Sequence, residues 1–343
     1  MTRKIWMLGS AAAVGVSAAV LLLLRRDSMG LSGKVVLITG GSHGLGVALA
    51  RAFAKVGARL ALCARSEEEL ALAREDLAAR GAEVMTVPCD VTDREQVEHF
   101  IRAALRHYGR IDVLANNAGV MHVGPVGTMS IDDFETAMSA MFWGPLYTTL
   151  AALPHLRHRQ TRIVNITSVG GKVSVPHLLP YSCAKFAAVA FSEGMRAELY
   201  GTGVKVVTIA PGLMRTGSRL NAVFKGAEDG EAAWFSLGAS LPGISISATR
   251  AAASIVSATR KGSAERILSA PANLISALRG LFPGSTADLL GQINRLLPHG
   301  TSRSELGSDS ALLQTFWMRA WTILGRMAAE QFLQPATRKP GNA

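Results

Sequence analysis

A hydroxyl, a phenol and an amine fall close together in this chain, at Ser168, Tyr181 and Lys185. Tyr181 and Lys185 are four residues apart, so on a helix they stand on one face, one turn from each other. Ser168 closes the apolar run Arg162-Ile-Val-Asn-Ile-Thr167, which reads as a buried strand. A phenol ordinarily titrates at about 10, and an ammonium beside it stabilises the phenolate and lowers that value. The trio reads as an acid/base device for chemistry at a C–O bond. The same Tyr-x-x-x-Lys spacing also describes two solvated helix residues, so the elements around it must decide.

Those elements alternate. Short β-branched runs at Lys34–Thr39, Arg59–Ala64, Glu83–Val87, Ile111–Ala115, Thr161–Thr167 and Val204–Ile209 are separated by helical patterns. The helices are expected at Leu45–Val56, Glu67–Arg80, Arg94–Tyr108, Ile131–Leu153 and Tyr181–Tyr200, with a seventh strand at Arg266–Ser269. Alternation of this kind predicts a doubly wound parallel sheet with helices on both faces. The strands are continuous apolar runs, as strands covered on both faces should be. From Gly212 to Ser247 periodicity is lost, and the segment reads as a mobile cover over a site or a variable surface insertion.

The chain has 343 residues, a formal charge of +11 and an apolar fraction of 49%, ample for a packed core. Its basic residues occur singly or in pairs rather than as a stripe interleaved with aromatics, which argues against nucleic acid. Cys63, Cys89 and Cys183 lack a CxxC or a histidine partner, so neither a disulfide framework nor a metal site is indicated. Ile5–Leu24 holds twenty residues without charge between Arg3-Lys4 and Arg25-Arg26. At about 1.5 Å per residue such a stretch spans the roughly 30 Å hydrocarbon core. It is expected to be a retained single-pass anchor (residues 1–27) rather than a cleaved leader, since Leu21–Leu24 runs straight into two arginines. A catalytic domain over 31–270 and a helical C-terminal extension over 271–343 follow. In the latter, Phe316, Trp317, Trp321, Leu324, Met327 and Phe332 share roughly one helical face, read as core or subunit contact.

The first strand runs directly into Gly40-Gly-Ser-His-Gly44-Leu-Gly46 and a helix. Glycines there let the backbone turn tightly and approach a pyrophosphate, whose charge suits a helix N-terminus. With this G-x-x-x-G-x-G spacing, Ser168 and Tyr181-x-x-x-Lys185, the chain resembles the short-chain dehydrogenase/reductase family. Asp90-Val91, Asn116-Asn-Ala-Gly119 and Pro211-Gly212 match further motifs in the same order. The resemblance is dense over about residues 31–215.

It implies a Rossmann-type sheet of about seven strands and a dinucleotide held by Gly40, Ser42, His43, Gly44, Leu45 and Gly46. Asp90 and Val91 would lie at the adenine. Asn117, Ala118, Gly119, Tyr181 and Lys185 would lie toward the nicotinamide, with Pro211, Gly212 and Thr216. Strand two ends Ala64-Arg65, where an NAD site wants a carboxylate for the ribose hydroxyl. The Arg65 guanidinium suits a 2′-phosphate, with His43 assisting, so NADP is expected.

The implied mechanism is hydride transfer to or from a carbonyl carbon. Tyr181 exchanges the oxygen's proton, Ser168 bonds that oxygen, and Lys185 lowers the phenol's pKa and holds the nicotinamide ribose. One expected element is missing. Aligned on Gly144-Pro145, the position of a helix-borne asparagine that anchors a relay water is Met141, whose thioether cannot hold water in that way. Backbone groups, or Ser139, His122 or His177, could substitute. Otherwise the protein is a nucleotide-binding scaffold or sensor with weak catalysis. Both histidines read as wall or surface groups near substrate, and Phe142 and Trp143 as packing.

The anchor and the apolar segments Val173–Pro180 and Leu213–Leu241 suggest a lipophilic alcohol or ketone. The domain is expected to face the cytoplasm, and the family resemblance implies a homodimer or tetramer through the helices bearing Met141 and Tyr181.

Overall fold

Strand β1 (Val35–Thr39) is buried at every position, which demands cover on both faces. Alternation along the strand sends Val36 and Ile38 into one core and Val35 and Leu37 into another. The computed structural model describes residues 28–157, 159–298, 300, 304–306 and 322–334. Within them lie β2 (Arg59–Ala64), β3 (Val84–Pro88), β4 (Val113–Asn116), the two-residue β5 (His122–Val123), β6 (Thr161–Ile166) and β7 (Val204–Pro211). Short strands β8 (Met214–Arg215), β9 (Val223–Lys225) and β10 (Ile246–Ser247) precede β11 (Glu265–Leu268).

Seven of these form one sheet in the order β11-β7-β6-β4-β1-β2-β3, parallel throughout. The chain first builds outward from β1 to β3, then returns to place β4 on the other side of β1. That reversal opens a crevice beyond the C-terminal ends of β1 and β4, the usual ligand position in such sheets.

Helices α1 (Gly44–Lys55), α2 (Glu67–Ala79) and α3 (Arg94–Tyr108) return the first three strands. Ser66 caps α2 by accepting from Glu69 N–H, and Asp93 caps α3 by accepting from Glu95 and Gln96 N–H. After β4 come α4 (Ile131–Met138), α5 (Gly144–Leu156), α6 (Leu179–Glu198), α7 (Glu228–Ser240) and α8 (Ala248–Lys261). Leu49 and Phe53 of α1 pack with Ile255 of α8 on one face. Phe100 and Ile101 of α3 pack with Leu156 of α5 on the other. The first residues described enter at the opposite edge from the crevice: Met29 is fully buried, and its N–H bonds the Arg260 carbonyl at the end of α8 (2.9 Å).

Three expectations need correction. The helix expected over Ile131–Leu153 is two helices joined by a π turn, Ser139–Trp143, in which Gly144 N–H reaches back to Ser139 O. Pro145 has no N–H, so Met141 C=O lacks the donor four residues on that an α-helix would supply. Gly144 is needed because a side chain there would meet Val91. Second, Gly212–Ser247 is built structure. β8 pairs with β10, β9 pairs with β5, and α7 buries Phe235 against Phe224.

Third, the C-terminal region is not wholly helical. Besides α9 (Ala270–Leu281), α10 (Pro283–Asn294) and α11 (Ile323–Gln331) it holds β12 (Ser304–Leu306), antiparallel to β9. Of the aromatic stripe, Phe316, Trp317 and Trp321 lie outside the described residues. Leu324 and Met327 are exposed while Phe332 is buried, so those three do not share one buried face. The anchor Ile5–Leu24 also lies outside the described residues. Among the described residues no helix is long and apolar enough to cross a membrane.

A buried polar chain crosses the sheet. Asn116 Nδ2 donates to Asn165 Oδ1 (2.8 Å), and Thr148 Oγ1 donates to Asn116 Oδ1 (2.7 Å). Asn165 Nδ2 donates to Ser192 Oγ (3.0 Å), which shares a bond with Thr208 (2.7 Å). Asn116→Leu would take the donor from Asn165 Oδ1 and Thr149 Oγ1, while Thr148 Oγ1 keeps the Gly144 carbonyl (3.0 Å), and unpaired buried groups cost about 1–3 kcal/mol each. Urea denaturation should show a loss of about 2–4 kcal/mol. A loss below about 0.5 kcal/mol would mean the chain is dispensable.

Candidate functional site

Building the crevice starts at the end of β1. Gly40 adopts φ 63° and Gly44 φ 58°, a left-handed backbone that glycine alone adopts without strain. A side chain on Gly46 would collide with the Gly40 carbonyl, so α1 begins pressed against the strand it follows. The turn after β4 is stapled to this loop. Thr39 Oγ1 accepts from Asn117 N–H (3.0 Å) and Ala118 N–H (3.1 Å), while Asn117 Nδ2 donates to the Thr39 and Gly40 carbonyls (3.0 Å each). Asn117 therefore braces the loop, and it is Ala118 and Gly119 that face the opening.

One cavity of about 570 Å³ collects Gly40, Ser42, His43, Arg65, Asp90 and Val91, with Ala118 and Gly119 on its far wall. Asp90 Oδ1 accepts from Thr92 N–H (2.9 Å) and Thr92 Oγ1 (2.8 Å), which fixes the turn after β3. Arg65 and Ser66 share the cavity's outer end with Glu69. Glu69 was not expected there. Its Oε2 accepts from Ser42 Oγ (2.9 Å), Ser42 pairs with His43 Nδ1 (2.9 Å), and His43 Nε2 meets Asn221 Nδ2 (3.0 Å). The Ser66-x-x-Glu69 spacing carries the signal of a helix start, but not of a carboxylate turned toward the loop. The cradle fits a dinucleotide: backbone without side chains at the turn, a helix N-terminus beyond it, and a cation at the outer end. Leu45 turns into the core beneath.

A second cavity, about 360 Å³, holds Ser168, Tyr181, Pro211 and Gly212. Its remaining walls are largely apolar, with Met121, Val175, Leu178, Trp234, Phe235 and Ile275. Ser168 Oγ accepts from Gly170 N–H (3.0 Å) and donates to Pro211 O (3.5 Å). Tyr181 is raised above the usual phenol value by burial, with a hydrogen bond to Ser168 pulling it down.

Lys185 is buried one turn on. Its Nζ donates to Ile166 O (2.9 Å) and stands 5.7 Å from the Tyr181 ring centre. Burial lowers its pKa to about 8. The ammonium expected to depress the phenol is turned to the Ile166 carbonyl, and burial governs both groups. Met141, 1% exposed, flanks Gly119 opposite Lys185: a methyl on Gly119 would lie 3.4 Å from Met141 Sδ and 3.9 Å from Lys185 Nζ.

The remaining expected residues scatter. Thr216 is buried beside Gly44. Ser139 lines the first cavity. His122 lies 3.6 Å from Asp133 and is lowered in pKa by burial. His177 Nδ1 pairs with the fully buried Glu231 (2.7 Å), which also accepts from Trp234 Nε1 (2.6 Å). Neither histidine lines the cavity of Ser168 and Tyr181. Trp143 is 43% exposed, more surface than packing.

Residues 34–223 match the family profile of the short chain dehydrogenases, and the chain belongs to that family. It is 38% identical over 205 residues to a dehydrogenase/reductase SDR family protein 7-like of Anopheles gambiae, covering 58% of this chain and 65% of that one. It is 38% identical over 185 residues to the 11-beta-hydroxysteroid dehydrogenase-like 3 of Arabidopsis thaliana, covering 53% and 60%. The matches thus span less than two thirds of these relatives' lengths. A short chain dehydrogenase/reductase from Burkholderia phymatum, solved in complex with NAD, superposes with a TM-score of 0.67 at 25% identity. That superposition covers 80% of this chain and 99% of the other.

Lys185 yields a stability test. With a folded pKa of about 8 against 10.5 for the free side chain, unfolding takes up a proton between those values. Stability therefore rises with pH through that window, and the burial penalty is fully present below it. Lys185→Met should gain about 1–2 kcal/mol at pH 7. It should also lose the wild type's rise between pH 8 and 10, followed by urea denaturation. A variant less stable at pH 7 would show that the bond to Ile166 outweighs the buried charge.

Proposed function

We propose that this protein is an oxidoreductase that moves a hydride between NADP(H) and a carbonyl or alcohol carbon of a lipophilic small molecule. The observation that carries the reading is the apolar cavity with Ser168 and Tyr181 together at its polar end. The nicotinamide, when bound, supplies or takes the hydride. The chain's own groups manage the oxygen. Ser168 Oγ hydrogen-bonds it, and Tyr181 OH gives its proton in reduction and takes it back in oxidation. Gly170, whose N–H holds Ser168 Oγ, keeps the hydroxyl pointed at that place. Lys185 sits one turn behind, ready to resupply the proton and to lower the phenol once it is drawn from Ile166 O. Water is excluded by Met121, Leu178, Trp234 and Phe235.

Dinucleotide recognition rests on Gly40, Ser42, His43, Gly44, Leu45, Gly46, Asp90, Val91, Asn117, Ala118, Gly119, Pro211, Gly212 and Thr216, with Arg65 choosing NADP. Met141 favours a second reading, a nucleotide-binding scaffold or sensor with weak catalysis. Against it, Pro145 offers Met141 C=O no N–H four residues on, so the backbone beside the thioether is not closed as an α-helix would close it.

Membrane attachment through Ile5–Leu24, with the domain on the cytoplasmic side, belongs to this reading. A further support is apolar surface beside the substrate cavity: Pro271, Ala272 and Ile275 line it, while Leu274, Leu281 and Phe282 of the same region are exposed. Pairing of two copies is supported by Trp143 and Leu150, exposed on the helices around Met141.

NADPH oxidation over a panel of lipophilic ketones should fall at least about 100-fold in Tyr181→Phe, with NADPH affinity little changed. Equal rates in both proteins would favour the scaffold. Arg65→Ala should weaken NADPH binding by about 10–100-fold, the worth of a charged hydrogen bond, and leave NADH within about threefold. An unchanged NADPH/NADH ratio in titrations would remove Arg65 from that role.

A further inference from the structure

The C-terminal segment 322–334 lies on the glycine loop. Gly44 N–H, the first of α1, donates to the Phe332 carbonyl (2.8 Å). Arg51 Nη1, on the same helix, donates to Gln331 O (2.7 Å), and its guanidinium stands over the Phe332 ring, 5.5 Å from the centre. Phe332 and Ala328 enter the core beneath α1. A methyl on Gly217 would run into Ala329, and α11 also packs on α7 and β8. The segment is thus a strap joining the cofactor side of the crevice to the substrate side.

The strap ends at Gln334, which is 6% exposed. Its Oε1 is buried with no hydrogen-bond partner. A methyl placed on Gly44 would lie 3.1 Å from that oxygen and 4.0 Å from Thr216 Cβ, so the amide and the threonine look into one small space above the start of α1. This is the glycine whose missing side chain lets a diphosphate approach the backbone, at the helix end that favours anions. A strap serving only to close the loop would satisfy its own buried amide, because an orphaned acceptor is costly. This one leaves the amide unanswered where an anion belongs. A half-turn of the terminal torsion exchanges Oε1 for the Nε2 donors.

We propose that Gln334 is a further cofactor-binding residue whose amide donates to the diphosphate of the bound dinucleotide across the N-terminus of α1. The inference rests on the dinucleotide reading given above but not on the choice of NADP. It also makes the strap part of the cofactor site, so nucleotide binding tightens a segment that touches α7 and β8 on the substrate side.

The test is calorimetric titration of the full chain with NADPH, NADH and ADP-ribose, together with displacement of NADPH by 2′-AMP, which lacks the diphosphate. Gln334→Leu should weaken both dinucleotides and ADP-ribose about tenfold, the worth of one hydrogen bond to a charged group, and leave 2′-AMP within about twofold. Gln334→Glu should weaken the diphosphate ligands further, about 100-fold, by placing like charges together. Unchanged or tighter binding in Gln334→Leu overturns the proposal, the latter by showing that the amide plugs the site. An equal loss for 2′-AMP also overturns it, since the loop as a whole would have loosened. Should Gln334→Leu not fold, Gln334→Asn keeps the amide but withdraws it by one carbon, and must show the same ordering of losses. Wild type that binds NADH in preference to NADPH removes only the cofactor choice. Wild type that binds no dinucleotide and no ADP-ribose removes the dinucleotide reading, and this one with it.

Discussion

The staple between the glycine loop and the turn after β4 is the constraint on which the rest of the crevice depends. Asn117 and Ala118 donate four hydrogen bonds to Thr39 and Gly40 across the point where the strand order reverses. They hold Gly40 against Ala118 so closely that a methyl on Gly40 would meet the Ala118 backbone. The loop is therefore shaped from two sides, by α1 pressing through Gly46 and by β4 through Asn117. The first cavity opens on one flank of that joint. On the other flank Gly119 leaves room for Met141 and Lys185. At this joint the polar side chains of Thr39 and Asn117 serve backbone shape, and the wall beside them is Gly40, Ala118 and Gly119.

Burial then decides what the reactive groups cost. Tyr181 and Lys185 stand in an interior that penalises their charged forms, one raised and the other lowered to about 8. In water a phenol and an amine titrate close together, at about 10 and about 10.4; here burial draws them apart, so that the phenol holds its proton more tightly than the amine does. The ammonium is thereby the readier proton donor of the two, and its Nζ is held by the Ile166 carbonyl. Packing and chemistry pull in opposite directions at this one turn of α6, as they do wherever function needs strain.

Much of this was legible in the residues. Continuous apolar strands such as Val35–Thr39 could only belong to a sheet covered twice, and the Gly40–Gly46 spacing could only serve a turn into a helix. Arg65, Ser42 and Asp90, far apart in sequence, do meet at one cavity. Other features were present but less plain. Pro145, four residues past Met141, already removed a helical donor and so broke the helix expected there. The segment after Gly212 escaped periodicity because strands of two or three residues are too short to show any, and are held by partners such as β5 and β12. Glu69 was readable as part of a helix start, but its turn toward Ser42 depends on β1 and β2 being neighbours. Gln334 had no signal at all: nothing local links it to Gly44, and only the docking of Phe332 beneath α1 brings the two together.

Met29 has a geometric consequence for how this molecule can be mounted. Its bond to Arg260 fixes the chain's entry at the edge of the sheet where the strands begin, whereas Ser168, Tyr181 and the exposed apolar residues of α9 lie past the edge where they end. Strands of five residues put about 17 Å between those edges. A body fastened through the residues before Met29 is therefore held by its heel. With a short tether its mouth faces away from the point of attachment. Bringing the mouth against the same surface requires the molecule to lie on its side, with the sheet edge along the surface and the tether running beside it.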